Sequence, residues 1–432
     1  MIVSQKKGIQ TEPTKYDAMI DKLRSMRDHR KAHPTIPSEE LFYDILVKYH
    51  SSIRDAATSG RPVAVLGTAV PIEIFRAMDI APLHMWWASG MVVPVLNLHR
   101  EALDFAAAYG WTAEVCSGHR VLVAPHVKHW IAAPTMVVWA THTCDNCCKT
   151  GEMVARAWDI PYLFLERPRS GTERDAIHYS GQLRELVKFL EEQTGRKMDW
   201  DRLREMLKRS LEMQRLHEQT YELQKRVPSP AINRRIMQYH MVNRLYAGTP
   251  EGVDFMKCVL KETEEMVRKG TSHPERFRLL CLDIYPTYSR KLAEWMQAER
   301  GAVMVSDPFF SHWGPAKIDL SQPLESLARQ YYAEPVSHSY FSTTVEDLIQ
   351  PAVQDAREFR ADGAIWWMSH SCVQSSGVAH IVKEALQKQA GIPTFIIDIE
   401  RNDPTYVSDE TLKANLDTFF EVLEGLKVKG QR

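Results

Sequence analysis

The chain has 432 residues, more than a single hydrophobic core usually holds, so we expect two or three domains. Its 44% hydrophobic and 25% charged residues are typical of a globular protein, and a net charge of -1 gives no electrostatic basis for binding nucleic acid. No stretch is apolar enough to span a bilayer, and residues 1–17 lack the apolar run of a signal peptide, so we expect a cytoplasmic protein with no membrane partner.

The first part of the chain predicts a helical N-terminal arm over residues 1–58 and a first α/β domain over residues 59–172. The predicted elements of this domain are strand 63–67, a helix from Pro71, strand 82–85, helix 100–109, strand 135–140, helix 146–157 and strand 161–165. Strands that alternate with helices of this length favour a parallel, doubly wound sheet.

The second part predicts a helical connecting region over residues 173–272 and a second α/β domain over residues 273–432. The connecting region consists of long amphipathic runs with no strand signal. The predicted elements of the second domain are strand 277–284, a helix through 299, strand 302–306, a loop with the sequence DPFFSHWGP, helix 343–360, strand 363–367, helix 376–389, strand 393–397 and a final helix capped by Ser408 or Asp409.

One segment occurs twice, at residues 136–168 and at residues 363–404. In each copy a short apolar run with Trp leads to a Cys five residues after the Trp, then a helical stretch, Ile-Pro and a second apolar run. The two cysteines are Cys144 and Cys372. The repeat predicts two doubly wound, Rossmann-like domains related by duplication, each with a thiol at the carboxyl end of a strand, where open parallel sheets bind ligands.

Three of the seven cysteines, Cys116, Cys144 and Cys372, lie where a predicted strand gives way to a turn. Loops at one sheet edge, or at a cleft between two sheets, could bring them to one metal centre. Thiolates from dispersed loops suit an iron–sulfur cluster better than structural zinc, which usually takes two close Cys-x-x-Cys pairs. A redox thiol of Cys-x-x-Cys type and three inert cysteines are the alternatives.

Further candidates lie beside these cysteines. Cys147 and Cys148 follow Cys144 closely and are additional candidate ligands. His142 and His370 each lie two residues before a cysteine of the repeat, where a histidine could ligate a metal, donate a hydrogen bond to cluster sulfur or simply pack.

A carboxylate, Glu73, falls in the first turn of the helix that begins near Pro71, close to the carboxyl end of the first strand. The helix dipole alone favours a carboxylate at this position, so a purely structural role and a role in the site are both open.

From about residue 60 to the C-terminus, the chain resembles the iron–sulfur subunits of the 2-hydroxyacyl-CoA dehydratase and benzoyl-CoA reductase family. The resemblance rests on an ordered set of motifs: PIEIFRAMDIAPLHM, EVCSGHR, THTCDNCCKTGE, SHSCVQSSG and GIPTFIIDIERNDP. It implies that Cys116, Cys144 and Cys372 hold a [4Fe-4S] cluster with one iron open to substrate. It also implies that Glu73 faces the substrate.

The same resemblance implies an enzyme that acts on an acyl-CoA thioester. Family members receive single electrons from a separate ATP-hydrolysing iron–sulfur activator. They either dehydrate an (R)-2-hydroxyacyl-CoA through a ketyl radical or reduce the ring of benzoyl-CoA. Two related subunits pair, which implies a heterodimer with a homologous subunit, or a homodimer if one chain serves both roles.

The chain departs from the minimal family pattern at Cys147 and Cys148, which supply more thiols than one cubane needs. A family relative, the double-cubane cluster protein, binds an [8Fe-9S] assembly and reduces small molecules, and this alternative stays open. A third hypothesis is a non-catalytic subunit whose cluster relays electrons to a paired chain.

Overall fold

The computed structural model describes residues 15–33, 36–140, 144–270, 273–289, 291–311, 313–314, 316–334 and 344–428. Its first parallel sheet has the strand order β2-β1-β3-β4. These strands are β1 Val63–Leu66, β2 Ala81–His84, β3 Met136–Ala140 and β4 Tyr162–Leu165.

The second parallel sheet repeats this arrangement with the order β6-β5-β7-β8. Its strands are β5 Phe277–Leu282, β6 Ala302–Ser306, β7 Gly363–Ser369 and β8 Thr394–Ile399. In both sheets the first strand pairs with the second on one side and the third on the other. The predicted class, two doubly wound parallel sheets with additional helices, is therefore confirmed.

Both faces of each sheet are covered, because successive residues of a strand point to opposite sides. In β1, Val63 and Val65 pack into one core while Ala64 and Leu66 pack into another. The same division occurs in the second sheet, where residues 279 and 281 belong to a different core from residues 280 and 282. Complete burial of these central strands explains why they read as continuous apolar runs.

Helices α1 to α7 surround the first sheet. They are α1 Lys15–Ala32, α2 Pro37–Thr58, α3 Ile72–Ala77, α4 Val92–Leu96, α5 His99–Ala108, α6 Ser117–Val127 and α7 Asp145–Trp158. The first two helices contribute Tyr16, Met19, Ile45 and Ile53 to the core under β1. The predicted arm over residues 1–58 is thus helical where it is described, and its separation as a region of its own remains a prediction.

Four long helices connect the sheets, in agreement with the absence of a strand pattern there. They are α8 Glu173–Thr194, α9 Trp200–Gln224, α10 Arg235–Tyr246 and α11 Pro250–Lys269. Helix α9 packs on α3 of the first unit and also reaches the second, where the Tyr221 hydroxyl donates to the Asp355 carboxylate. The boundaries proposed at residues 172 and 272 are consistent with these elements and remain predictions.

The helices of the second unit are α12 Leu292–Arg300, α13 Pro308–Ser311, α14 Pro323–Ala333, α15 Glu346–Glu358, α16 Val373–Ala385 and α17 Asp409–Val428. The predicted DPFFSHWGP loop thus begins with one short helical turn. Helix α16 begins three residues earlier than predicted, immediately after Cys372. At the last helix, the Ser408 hydroxyl accepts a hydrogen bond from the Thr411 amide at 3.2 Å, as expected of an N-cap.

Among the described residues, every helix is too short or too polar to span a bilayer.

The carboxyl end of β1 packs closely against Trp139, the tryptophan of β3 that belongs to the repeated segment. A Cβ atom at Gly67 would lie 2.6 Å from the Trp139 ring, and the ring is fully buried. On the same ring, a Cβ at Gly151 of α7 would lie 3.0 Å away. Because these two glycines have no side chain, the end of β1 and helix α7 can both pack closely against the Trp139 ring.

We expect Gly67→Ala to lower the free energy of unfolding by about 1–3 kcal/mol, because the added methyl group overpacks a ring that has no room to move. Chemical denaturation monitored by tryptophan fluorescence would measure the change. The control is Gly181→Ala in α8, where an added Cβ has no heavy atom within 4 Å. This control should keep or slightly raise stability, since alanine favours a helix over glycine. Equal effects of the two substitutions would contradict the packing argument.

Candidate metal centre

Two of the predicted cysteines occupy equivalent positions in the two sheets. Cys144 lies after β3 at the N-cap of α7, and Cys372 lies after β7 at the N-cap of α16. Each therefore sits at the carboxyl edge of its sheet, beside the point where the strand order changes direction.

The local structure that positions Cys116 differs from that of Cys144 and Cys372. It does not follow a strand, as the sequence had suggested, but a loop after α5, and the turn predicted at Cys116 is the first turn of α6. Cys116 is the N-cap residue of that helix, and its sulfur would lie 3.5 Å from a Cβ at Gly118. The prediction of a turn was wrong because a helix start and a tight turn share small residues such as Ser117 and Gly118.

Cys116 affects, or is affected by, the ionisation of both other thiols. Burial raises the pKa of Cys116 to about 12, and the neighbouring Cys372 adds to this rise. The pKa of Cys144 is also raised, first by its hydrogen bond to Cys147, then by burial, with Cys116 contributing. Cys116 therefore lies near both Cys144 and Cys372.

Two further side chains join Cys144. The Nε2 atom of His119 lies 3.1 Å from the Cys144 sulfur, and the Cys147 sulfur lies 3.3 Å from it. These three side chains form a candidate metal-binding group whose ligand atoms are within 4.8 Å of one another. His119 was not identified from the sequence, although Cys116 and His119 have the same i, i+3 spacing as Cys144 and Cys147 at a helix start.

The other candidate residues lie elsewhere. Cys148 is exposed on α7 and is not a member of the candidate metal-binding group. His370 is 61% exposed, and its Nδ1 atom lies 3.2 Å from the Asp398 carboxylate. His142 lies outside the described residues. The supporting roles expected of the two histidines therefore remain predictions.

A loop after β8 joins the two halves at the thiols. The Glu400 carboxylate accepts a hydrogen bond from the amide of Ser371 at 2.6 Å, next to Cys372. Two residues on, the amide of Asn402 donates to the Ser117 hydroxyl at 3.2 Å, next to Cys116. The loop thus fixes a cysteine of each half from one short segment.

Asp283, the residue after β5, contacts both this loop and α16. Its φ of 69° is unusual for a residue with a side chain, and its carboxylate accepts from the Ser375 hydroxyl at 2.7 Å. The same carboxylate forms an ion pair with Arg401. Asp283 therefore ties the first turn of α16 to the loop, and its role was not predicted from the sequence.

Residues that follow strands of both sheets lie near His240 of α10. His84 ends β2, and burial lowers its pKa to about 3, so it is neutral. Asp307 follows β6 and lies 3.2 Å from His240 of α10, whose ring is 6.3 Å from that of Trp87. Polar side chains of both halves therefore meet in a water-poor region.

Glu73 is buried in this region, only 1% exposed. Its carboxylate accepts hydrogen bonds from the Ser210 hydroxyl at 2.8 Å and from the Tyr331 hydroxyl at 3.2 Å. It borders a cavity of about 30 Å³ that Arg244 and Trp313 also line. Burial raises the pKa of Glu73, although the two hydroxyls partly oppose that rise.

The raised pKa makes a prediction for stability. Glu73 ionises less readily in the folded protein than in the unfolded chain, so its stabilising contribution is complete at low pH and is lost as pH rises through the folded pKa. We expect the wild type to lose stability relative to Glu73→Gln as pH rises above the ordinary glutamate pKa of about 4.3, as measured by denaturant unfolding. With Glu185→Gln, an exposed change on α8, the pH profile should follow the wild type. A constant difference between wild type and Glu73→Gln at every pH would contradict the prediction.

The chain is similar to components of known acyl-CoA dehydratases. A family model described as the 2-hydroxyglutaryl-CoA dehydratase D-component matches residues 68–423. The alpha subunit of (R)-phenyllactyl-CoA dehydratase from Clostridium sporogenes is 25% identical over 338 residues, covering 75% of this chain and 80% of the relative. The alpha subunit of (R)-2-hydroxyisocaproyl-CoA dehydratase from Clostridioides difficile is 22% identical over 407 residues, covering 89% and 95%.

A component of a reductase is similar at the same level. One of the subunits of the benzoyl-CoA reductase from Thauera aromatica is 24% identical over 323 residues, covering 70% of this chain and 73% of the relative. The family match confirms the resemblance that the motifs indicated, and it includes Glu73 and the three cysteines at the helix starts. The chain therefore belongs to the 2-hydroxyglutaryl-CoA dehydratase D-component family.

Proposed function

We propose that the protein is the iron–sulfur subunit of an acyl-CoA dehydratase or of a benzoyl-CoA reductase type enzyme. Its relatives are named as subunits of such enzymes, which places the chain in an enzyme family. The observation that carries the proposal is the meeting of Cys116, Cys144 and Cys372 at the starts of three helices from both halves of the chain.

The residues at this position fit a [4Fe-4S] cluster held by three thiolates. The start of each helix carries partial positive charge, which favours a thiolate there despite the burial that otherwise keeps the thiols protonated. In addition, the indole N–H of Trp86 is buried without an acceptor among the described residues, and the Trp86 ring packs edge-on to His119, 5.3 Å away. A cluster sulfur would give this donor a partner.

When bound, a cluster with an open iron supplies an electron and Lewis-acid stabilisation to a thioester carbonyl. The chain itself supplies a site with little water, in which buried dipoles act more strongly than in solution. Glu73 is the residue we assign to the acyl group, because it is buried at a cavity and its raised pKa allows it to hold a proton. Ser210 and Tyr331 orient this carboxyl group through their hydroxyls.

Two alternatives differ in how many thiols take part. If Cys147, whose sulfur lies 3.3 Å from that of Cys144, completed a four-cysteine site, no iron would be open and the subunit would relay electrons. If Cys147 and Cys148 served a second cubane, the chain would hold an [8Fe-9S] assembly and reduce small molecules. The three-cysteine site remains our proposal, because Cys116, Cys144 and Cys372 share their position at helix starts.

The proposed reaction involves partners. We infer a homologous second subunit, in a heterodimer or a homodimer, since the relatives are named as subunits of larger enzymes. We also infer an ATP-dependent iron–sulfur activator that delivers single electrons, and an acyl-CoA substrate.

We expect anaerobically purified protein to contain about four irons and four acid-labile sulfides per chain. Alanine at Cys116, Cys144 or Cys372 should each remove most of the iron, because two thiolates cannot retain the cluster. Iron and sulfide quantification, with the visible absorption of the cluster, would measure this.

Two matched substitutions complete the experiment. Cys258→Ala changes a part-buried cysteine of α11 and should leave the iron content unchanged. Cys147→Ala should also retain iron. Loss of iron from this variant would favour the relay subunit. About eight irons would favour the double-cubane protein. Full iron content after Cys144→Ala and Cys372→Ala would overturn the metal assignment.

Turnover should require the activator, ATP and a CoA ester of a 2-hydroxy or aromatic acid. We expect Glu73→Gln to lower kcat/KM by about tenfold or more while the iron content stays normal, because only the proton exchange and charge of the carboxyl group are removed. An assay against a panel of CoA esters, with Glu185→Gln as the control, would test this. Wild-type turnover by Glu73→Gln would remove Glu73 from the proposed site.

A further inference from the structure

A larger pocket of about 300 Å³ lies on the other side of α3, toward the amino ends of β1 and β2. Its walls come from α2, α3, α9 and the start of α11. None of the cysteines lines it. The pocket is therefore separate from the candidate metal centre, and its volume is at the lower end of the range for small-molecule sites.

The lining of this pocket is strongly basic. Four guanidinium groups face two carboxylates; the arginines are Arg61, Arg76, Arg202 and Arg209, and the acids are Asp79 and Glu251. Asp79 is already engaged, because it pairs with Arg61 at 3.1 Å and with Arg196, which lies outside the lining, at 2.5 Å. One of the two acids is thus not available to neutralise the remaining arginines.

Three of these arginines lack a carboxylate partner. Within the described part of the chain, Arg76, Arg202 and Arg209 have no Asp or Glu oxygen within 4.0 Å. Arg76 donates to the carbonyl of Leu245 at 2.5 Å, while its Nε–H is buried with no acceptor among the described residues. The positive charges of these three arginines are therefore not paired with a carboxylate of the described residues within 4.0 Å at the pocket wall.

The start of α11 adds to the positive potential. Thr249 is the N-cap of this 20-residue helix, and its hydroxyl accepts from the Gly252 amide at 3.1 Å. Thr249 and Pro250 line the pocket, so the positive end of the helix dipole faces it. Glu251 offsets part of this charge from the first turn.

A glycine forms the wall between the pocket and Glu73. Gly248 has a φ of 73°, and a Cβ there would lie 2.8 Å from Met206 and 3.1 Å from the Glu73 side chain. On α3, Arg76 follows Glu73 by three residues, which is less than one helical turn. The basic pocket and the Glu73 cavity are thus neighbours on one helix.

We propose that this pocket binds the phosphate groups of an organic phosphate, with Arg76 and Arg209 as the principal ligands. Guanidinium groups pair with phosphate oxygens in a bidentate way, and a helix start complements the same charge. Two sources share this chemistry: the phosphate end of a CoA ester, and a free nucleotide or inorganic phosphate. The proposal requires only the phosphate, so it does not depend on the metal assignment.

Isothermal titration at constant ionic strength, with inorganic pyrophosphate and with CoA as separate probes, tests the proposal. We expect binding of at least one probe to the full-length wild type and a loss of about tenfold or more in affinity for Arg209→Gln. The matched control is Arg215→Gln, an exposed arginine of the same helix that does not line the pocket. Arg76→Gln should also weaken binding. The midpoint of its thermal unfolding shows whether this variant is folded.

Competition between the probes identifies the source. If pyrophosphate displaces CoA, the pocket holds the phosphates of the CoA ester, and Arg209→Gln should raise KM more than it lowers kcat. If pyrophosphate binds without displacing CoA, the ligand is a free phosphate compound. Both outcomes support a phosphate site. The proposal is overturned if neither probe binds, or if Arg209→Gln and Arg215→Gln bind alike, and iron content is unaffected in either case.

Discussion

The candidate site depends on the loop after β8, which contacts both halves of the chain beside the thiols. Glu400 holds the backbone before Cys372, and Asn402 holds the start of the helix that carries Cys116. Parallel sheets place the carboxyl ends of their strands at one edge, but they do not bring the edges of two sheets together. The loop supplies that restraint, and Asp283 holds the loop in place through Arg401.

The sequence was informative wherever local pattern decides structure. Burial on both faces of the sheet made strands such as β1 and β7 continuous apolar runs, and the repeated Trp-to-Cys spacing placed Cys144 and Cys372 at equivalent helix starts. Both features follow from nearest neighbours along the chain, so they are visible without coordinates. The duplicated strand order follows from them as well, because similar alternations of strand and helix adopt similar topologies.

Other features depend on contacts between distant residues and were beyond a reading of the sequence. His119 joins Cys144 across 25 residues, and Asp283 meets Arg401 across 118. The basic pocket is assembled from Arg76 and Arg209, which lie on separate helices that meet only after folding. The helix after Cys116 was missed for a different reason, since Ser-Gly at its start is equally compatible with a turn.

The duplication is also unequal, because the first half carries two of the three cysteines at helix starts and the second half carries one. Ribosomal synthesis therefore exposes Cys116 and Cys144 more than two hundred residues before Cys372 emerges. The loop after β8, at residues 400–403, is synthesised later still. Any cofactor that requires all three sulfurs can bind only after Cys372 has been synthesised, so the position of the last thiol sets the earliest time at which such a cofactor could be inserted.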